Sequence, residues 1–346
     1  MRKDIKMRIA VDAFGGDNAP DEVIKGAVEA AAAYGVEVVL TGDEQTIKNR
    51  FEALKLPQTN ITIVDADGVI EIEDDPMEIR RGKKDCSMGK AFQLVVNGEA
   101  DAFVSAGSTA ALVTGGTLLV GRIKGVKRPA LAPIIPSINS KYILLDGGAN
   151  TEVRPEMLQQ FAILGSVYME KVMGIPSPRV GLLNIGTEEE KGRDLERETR
   201  ELLSETRGIN FIGNTEAREV PMGACDVIVT DGFTGNIYLK TVEGMGKFMK
   251  KSLKNIFFKN IGTKIGAAFT MSGIKSLSRQ MDYKEVGGSP LLGTAKPVIK
   301  AHGSSDAKAF KNAIRQAKEF IENNVIEEMT ESLRTLKEDK SVKENV

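Results

Sequence analysis

Six times along this chain a short aliphatic run ends in a turn of glycine and small polar side chains, and a helix-patterned stretch follows. That alternation constrains the fold more than any other feature, because serial βα units assemble into a mostly parallel sheet with helices packed on it. Residues 8–12 read as the first strand, followed by a glycine-rich loop and a helix over about 21–34. Further strands are expected at 36–40, 61–64, 102–105, 142–146, 179–184, 226–230 and 297–301. Helices are expected over about 87–97, from about 109, and over 305–336, with a frayed charged tail at 337–346. The expected organisation is a single α/β domain over 1–336. No self-similarity at a period of about 20–50 residues is visible, so a solenoid is excluded.

The turns read Asp12-Ala-Phe-Gly-Gly-Asp17, Ser105-Ala-Gly-Ser-Thr109, Asp146-Gly-Gly-Ala-Asn150, Asn184-Ile-Gly-Thr-Glu188, Asp231-Gly-Phe-Thr-Gly-Asn236 and Ala301-His-Gly-Ser-Ser-Asp306. In open α/β sheets ligands sit beyond the carboxyl ends of the strands. Glycine lets the backbone approach a ligand, and the N–H groups at a helix start favour anions. Gly, Asp, Asn and Ser also make ordinary turns and caps, so each turn alone has two readings. Six of them together favour an anion site.

Composition narrows the chemistry. There is one histidine, His302, so neither a multi-histidine metal site nor a histidine dyad forms within one chain. Cys86 and Cys225 allow at most one bridge, which fits a reducing cytoplasm, and both read as small buried hydrophobes. Residues 1–7 have no apolar core behind their charges, so no signal peptide is expected, and no apolar run of about 18 residues predicts a spanning helix. The net charge of −1 hides an asymmetry: no acid occurs between Glu243 and Asp282, where eight Lys and Arg stand. The remainder holds 39 bases against 48 acids, a net of −9, which argues against a nucleic-acid-binding surface.

Familiar signatures are missing. There is no G-x-x-x-x-G-K-[ST], no G-x-G-x-x-G after the first strand and no G-x-S-x-G elbow. The acidic run Glu71, Glu73, Asp74, Asp75 reads as a solvated loop, balanced by the basic knot Arg80, Arg81, Lys83, Lys84. The knot's other reading is contact with phosphopantetheine or a carrier protein.

RIAVDAFGGDNAP (8–20), SAGSTAAL (105–112), GRIKGVKRPALAP (121–133), LLDGGAN (144–150), PRVGLLNIGTEEEKG (178–192), VTDGFTGN (229–236) and VIKAHGSSD (298–306) together resemble the PlsX family of phosphate acyltransferases. The family start corresponds to Met7. Phe14 and Asn18 stand where the family usually has methionine and histidine, and Ser108 and Ala110 where Asn and Gly are commoner. The resemblance implies a three-layer α/β/α, Rossmann-like homodimer related to phosphotransacetylases and isopropylmalate dehydrogenases. It implies reversible conversion of acyl-acyl-carrier protein and inorganic phosphate into acyl phosphate, a reaction whose steps need no metal or cofactor. That product would feed a membrane glycerol-3-phosphate acyltransferase, placing the protein in the cytoplasm at an anionic membrane surface. Rival readings are a phosphotransacetylase using acyl-CoA, a decarboxylating dehydrogenase on the same fold, and a non-enzymatic lipid-binding scaffold.

Such a reaction needs a held dianion, a stabilised oxyanion and help for the leaving thiolate. Gly107, Ser108, Thr109, Asn150, Thr234, Gly235, Asn236, Gly303, Ser304 and Ser305 are the candidate donors, with Lys191 and Lys300 as cationic partners. His302 is the candidate for proton handling, its imidazole titrating near working pH. Asp231 either orients a cation or the histidine, or simply forms an Asp-Gly turn; Asn236 either donates to substrate or caps a helix. Leu253, Ile256, Phe257, Ile261, Ile265, Ala268 and Phe269 recur at helical spacing among lysines such as Lys254. Gly262, Gly266 and Gly273 argue against one straight helix, so a basic amphipathic hairpin over about 244–282 is expected. Lipid, carrier protein and a second subunit are all open as its partner.

Overall fold

The computed structural model describes residues 7–138, 140–280 and 283–344, without the side chains of 261, 265, 268, 274–283 and 339–344. In chain order the regular elements are β1 (Arg8–Asp12), α1 (Asp21–Tyr34), β2 (Glu37–Gly42), α2 (Glu44–Leu54), β3 (Ile61–Asp65), α3 (Ser87–Val96), β4 (Ala102–Ser105) and α4 (Thr109–Gly115). Then come β5 (Ala130–Leu131), β6 (Ile134–Pro136), β7 (Lys141–Leu145), α5 (Pro155–Lys171), β8 (Arg179–Asn184), α6 (Asp194–Ser204), β9 (Asn210–Glu216) and β10 (Val227–Val229). α7 (Gly232–Phe257), α8 (Ile261–Gln280), β11 (Gly288–Leu292), β12 (Val298–Ala301), α9 (Ala307–Glu322) and α10 (Val325–Glu344) complete the fold.

The expected mostly parallel α/β architecture is present, with its strands divided between two sheets. The first has the order β3-β2-β1-β4-β12-β11-β5 and the second β6-β7-β10-β8-β9. Among the described strands, the pairings of β11 with β12 and β5, and of β6 with β7, are antiparallel and the rest are parallel. The sheets are stitched where β5 meets the end of β7: Gly147 N–H donates to the Leu131 carbonyl, and Leu131 N–H to Asp146 Oδ1. One apolar core runs under both, taking in Val11 and Val104 of the first sheet, Leu145 and Val227 of the second, and Phe161 and Phe310 from α5 and α9. On the opposite faces, α3 and α4 bury Phe92 and Leu112 against the first sheet, while α7 covers Tyr142 and Ile228 of the second with Tyr238. Helices therefore cover the sheets on both faces, and the parallel strands send their carboxyl ends into the polar turns.

Several boundaries differ from the sequence reading. The final helix is two: α9 ends at Asn323 and Asn324, the latter with φ +50°, before α10 begins. α10 stays helical through Glu344, so the tail after Leu336 continues the helix. In the hairpin the first arm begins at Gly232, and the turn falls at 258–260 rather than at the glycines. Asn260 is the reason: its Oδ1 accepts from Thr263 N–H at 2.9 Å while its own N–H reaches Thr263 Oγ1 at 3.0 Å, a reciprocal cap that starts α8. Gly262, Gly266 and Gly273 then lie inside α8.

Candidate active site

The turn at 12–17 is built around a buried carboxylate. Asp12, at the end of β1, accepts from Ser105 Oγ at 2.7 Å and from Phe14 N–H at 3.2 Å. Burial pushes its pKa up, with the Ser105 hydroxyl acting the other way. Gly16 has φ +101° and lies so close to its neighbours that a Cβ would come within 2.9 Å of both the Ala106 side chain and the Gly303 carbonyl. The 301–306 turn docks here: Asp17 N–H donates to Gly303 O at 2.8 Å, and Asn18 Nδ2 to Ser305 O at 3.2 Å. The position where the motif resemblance implies a histidine is thus filled by a side chain that tethers one turn to another.

Lys300 stands at the end of β12, with only 8% of its surface exposed. Its Nζ donates to the carbonyls of Ala106, at 3.2 Å, and Ala301, at 2.5 Å. Among the described residues it makes no ion pair. Burial lowers its pKa to about 8, with the charge of Asp12 resisting. His302 is half-buried, and its Nδ1 accepts from Ser304 N–H at 3.2 Å with Ser304 Oγ at 2.9 Å. A backbone N–H cannot donate to a protonated nitrogen, so the neutral ring carries its hydrogen on Nε2. Burial lowers the imidazole pKa; Glu243 opposes that, and Lys240, Lys300 and Lys247 reinforce it. Among the described residues, Ser305 Oγ is buried without a hydrogen-bond partner.

A second group forms around Asp146. Its carboxylate takes the N–H groups of Gly148, Ala149 and Asn150, at 2.6–3.1 Å, together with Asn150 Nδ2 at 2.8 Å. Asn150 Nδ2 also donates to Pro129 O, and the Asn150 carbonyl accepts from Gly232 N–H. At Gly235 any Cβ would collide with the Asp146 carbonyl, which is why α7 can start this close. Asp231 caps α7, accepting from Thr234 N–H at 2.9 Å and Thr234 Oγ1 at 2.7 Å, and it pairs with Arg193 at 3.0 Å. Arg193 also grips Glu196, clasping the 184–193 loop to the first turn of α7. Asn236, exposed, donates to Gly147 O at 3.3 Å. Lys191 is exposed on that loop, its carbonyl accepting from Asn184 Nδ2.

The expected donors therefore divide. Gly107 N–H is taken by Ser105 Oγ at 2.9 Å, Ser108 caps α4, and the 146–150 turn is filled by its own aspartate. An aspartate inside a glycine turn uses up the very N–H groups that a bound anion would use. Thr234 is bonded to Asp231, and Asp231 shares no hydrogen bond with His302 among the described residues. The backbone N–H groups of Thr109 and Ala110 have no partner among the described residues, and Thr109 is exposed. Lys300, His302, Gly303, Ser304 and Ser305 are brought together with the 12–18 and 105–109 turns; Asn150, Lys191, Asp231, Thr234, Gly235 and Asn236 belong to the second group. α7 links the two, because Lys240 and Glu243, one and two turns beyond Asn236, bear electrostatically on His302. Sequence reasoning missed Arg193, Lys240 and Glu243; the helical spacing from Asn236 was the available signal for the last two.

Both cysteines are buried and their thiols pushed up by burial, Cys225 to about 12. Two shallow hollows, of about 300 and 350 Å³, lie away from these turns, between α5 and α6 and between α6 and β9. The first is rimmed by Glu156, Glu198, Glu201 and Glu205, a poor host for an anion.

Two mostly parallel sheets with helices on both faces make this an α/β protein, and its fold is that of the phosphotransacetylases. A phosphotransacetylase from Streptococcus pyogenes shares this fold, with a TM-score of 0.63 over 92% of this chain and 94% of its own, at 20% identity. A family model described as "Fatty acid synthesis protein" matches residues 7–328, and the chain belongs to that family. The phosphate acyltransferase of Thermoanaerobacter pseudethanolicus is 47% identical over 337 residues, covering 97% of this chain and 100% of its own. That of Bacillus subtilis is 46% identical over 335 residues, covering 96% and 100%. The motif resemblance to the PlsX family is borne out, and the chain is an acyltransferase of that family.

Proposed function

We propose that this enzyme transfers a long-chain acyl group from acyl-carrier protein to inorganic phosphate, reversibly. Lys300 carries the reading: a buried ammonium held only by carbonyls is favoured as a cation when an anion lies beside it. Thr109, Gly303 and the Ser305 hydroxyl surround the phosphate with N–H and hydroxyl donors, while Ser304 holds the His302 ring. A phosphate oxygen bonds the thioester carbon, the carbon–sulfur bond breaks, and the hydroxyl hydrogen of HPO₄²⁻ ends on the carrier thiol. His302 acts through Nε2–H as a neutral hydrogen-bond donor to the oxyanion and keeps that hydrogen, while the phosphate hydrogen itself passes to the leaving sulfur. Lys191 and Asn236, across α7, serve the thioester side, and Asp231 acts on them through Arg193.

The hairpin serves delivery. It leaves Phe248, Ile256, Phe258 and Phe269 exposed, the last at 86%, among the exposed Lys250, Lys251, Lys254, Lys259 and Lys264. Phe257 is half-buried; the side chains of Ile261 and Ile265 lie outside the described residues. No helix among the described residues is long and apolar enough to cross a membrane. A basic face with exposed aromatics suits the interface of an anionic bilayer on the cytoplasmic side, where the poorly soluble acyl phosphate passes to a glycerol-3-phosphate acyltransferase. Nearer the body, Ile237 and Met245 are about half exposed on α7 and suit a second copy in a homodimer.

The test is palmitoyl-carrier protein incubated with labelled phosphate. A hydroxylamine-sensitive labelled acyl phosphate is expected, and much less with palmitoyl-CoA. Preferred turnover of the CoA ester would make this a phosphotransacetylase, and no labelled product from either would overturn the reading.

A further inference from the structure

The segment between β3 and α3 lies on the carboxyl edge of the first sheet, the same rim as the Asp12 and Ser105 turns. Both its ends are pinned there: Ala66 N–H donates to Gly42 O at 3.1 Å, Ser87 N–H to Gly68 O at 3.0 Å, and Thr41 Oγ1 to Ser87 O at 2.7 Å. Its 3-10 turn, Pro76–Arg80, buries Ile79 with Ala111 and Leu112 of α4, the helix leaving the Ser105–Thr109 turn. The basic knot is therefore held beside the site.

Its charges are unequal in use. Lys83 pairs with Asp74 at 2.5 Å, and Asp85 is taken by Lys90 at 2.8 Å. Arg80, Arg81 and Lys84 are exposed and make no ion pair among the described residues. Among the described residues only Lys83 makes an ion pair with the acidic run, and Glu71, Glu73 and Asp75 stay exposed on the same segment. Three cations on one short turn repel one another, an arrangement that gains free energy when an acidic surface covers it.

We propose that Arg80, Arg81 and Lys84 form the docking rim for the acidic face of the carrier protein, from which its pantetheine arm reaches the turns at Ser105 and Lys300. This rests on the acyl-carrier reading above. A protein suits the rim better than a bilayer does. Ile79 points into the core, so the turn presents charge with only Ile72 exposed beside it, whereas an interfacial anchor needs an apolar face of several residues. Guanidinium groups pair with carboxylates in bidentate geometry, which rewards a partner with fixed acids.

The experiment measures binding of fluorescently labelled carrier protein to the full chain, by anisotropy at low and high salt. For Arg80→Glu/Arg81→Glu/Lys84→Glu we expect affinity to fall about 10- to 100-fold with a flatter salt dependence, while inorganic phosphate still binds as in the wild type. The hairpin variant Lys250→Glu/Lys251→Glu/Lys254→Glu should keep carrier affinity and lose flotation with phosphatidylglycerol vesicles. Unchanged carrier affinity in the folded rim variant overturns the rim, as does loss of affinity in the hairpin variant alone. A rim variant that leaves the vesicles yet keeps the carrier makes the rim a membrane contact instead. A wild type that binds no carrier protein at all overturns the acyl-carrier reading itself, and the rim with it.

Discussion

The turns around Lys300 and the α7–α8 hairpin depart from ordinary burial in opposite directions. In the first, charged groups are inside: Asp12 and Lys300 are both buried, and among the described residues the cation hydrogen-bonds only to carbonyls, with Asp12 acting on it through its charge. In the second, apolar groups are outside: Phe248, Phe258 and Phe269 stand in solvent among lysines. Isolated exposed apolar residues are normal, but a buried charge without an ion pair and several exposed aromatics on one hairpin each need a partner. The difference teaches where to look for each partner, a small anion for the turns and an extended surface for the hairpin.

The largest effect should come from removing the buried charge. Lys300→Met is expected to lower kcat/KM for phosphate about 10²- to 10³-fold, because a charge aimed at the reacting anion is lost from a dry site. Its melting temperature should stay within a few degrees of wild type, since an apolar side chain of similar volume relieves the desolvation cost. A large drop in melting temperature with activity retained would reverse the comparison, making Lys300 structural. Next comes the clasp. Asp231→Asn keeps the cap but weakens the Arg193 pair, and kcat/KM should fall about 10-fold; Asp231→Ala should also lose about 1 kcal/mol of stability, read by denaturant melts.

Titration sharpens the same contrast. Lys300 is charged below its pKa of about 8, so the KM for phosphate should climb as pH rises past that value. Stability should move the other way. Between about 8 and the ordinary lysine value of 10.5 the unfolded chain binds the proton more tightly, so folding becomes more favourable as pH rises. A phosphate KM flat from pH 7 to 10 would remove Lys300 from the anion site. The smallest effect on turnover belongs to the hairpin: Phe258→Glu/Phe269→Glu should abolish vesicle flotation while changing kcat on dispersed substrate less than about twofold. Unchanged flotation of the folded double variant would exclude those side chains as the anchor.

Much of this fold is legible in the residues. β1, β4, β8 and α1 fall where their patterns place them, because each is bounded by strong local signals, as α1 is by Gly35 with φ +67°. β9 was not legible: Asn-Phe-Ile-Gly-Asn-Thr-Glu alternates weakly, being a half-exposed edge strand bent at Gly213. The division into two sheets depends on pairings between distant segments, such as β11 with β5, that no local pattern reveals. At the site, Asp146 with its following glycines reads equally well as an anion turn or as a self-filled one, and only the geometry of its four hydrogen-bonded N–H groups, Leu131 included, decides for the second. Arg193 was hidden for a related reason, since its partner Asp231 comes 38 positions later.

Equilibrium titration of inorganic phosphate into the wild type and into Lys300→Met, followed by calorimetry at pH 7, bears most directly on the buried lysine. Saturable binding to the wild type that disappears in the folded variant is the expected outcome. Equal phosphate affinity in the two proteins would contradict it and send the search for the anion to the Lys191 loop.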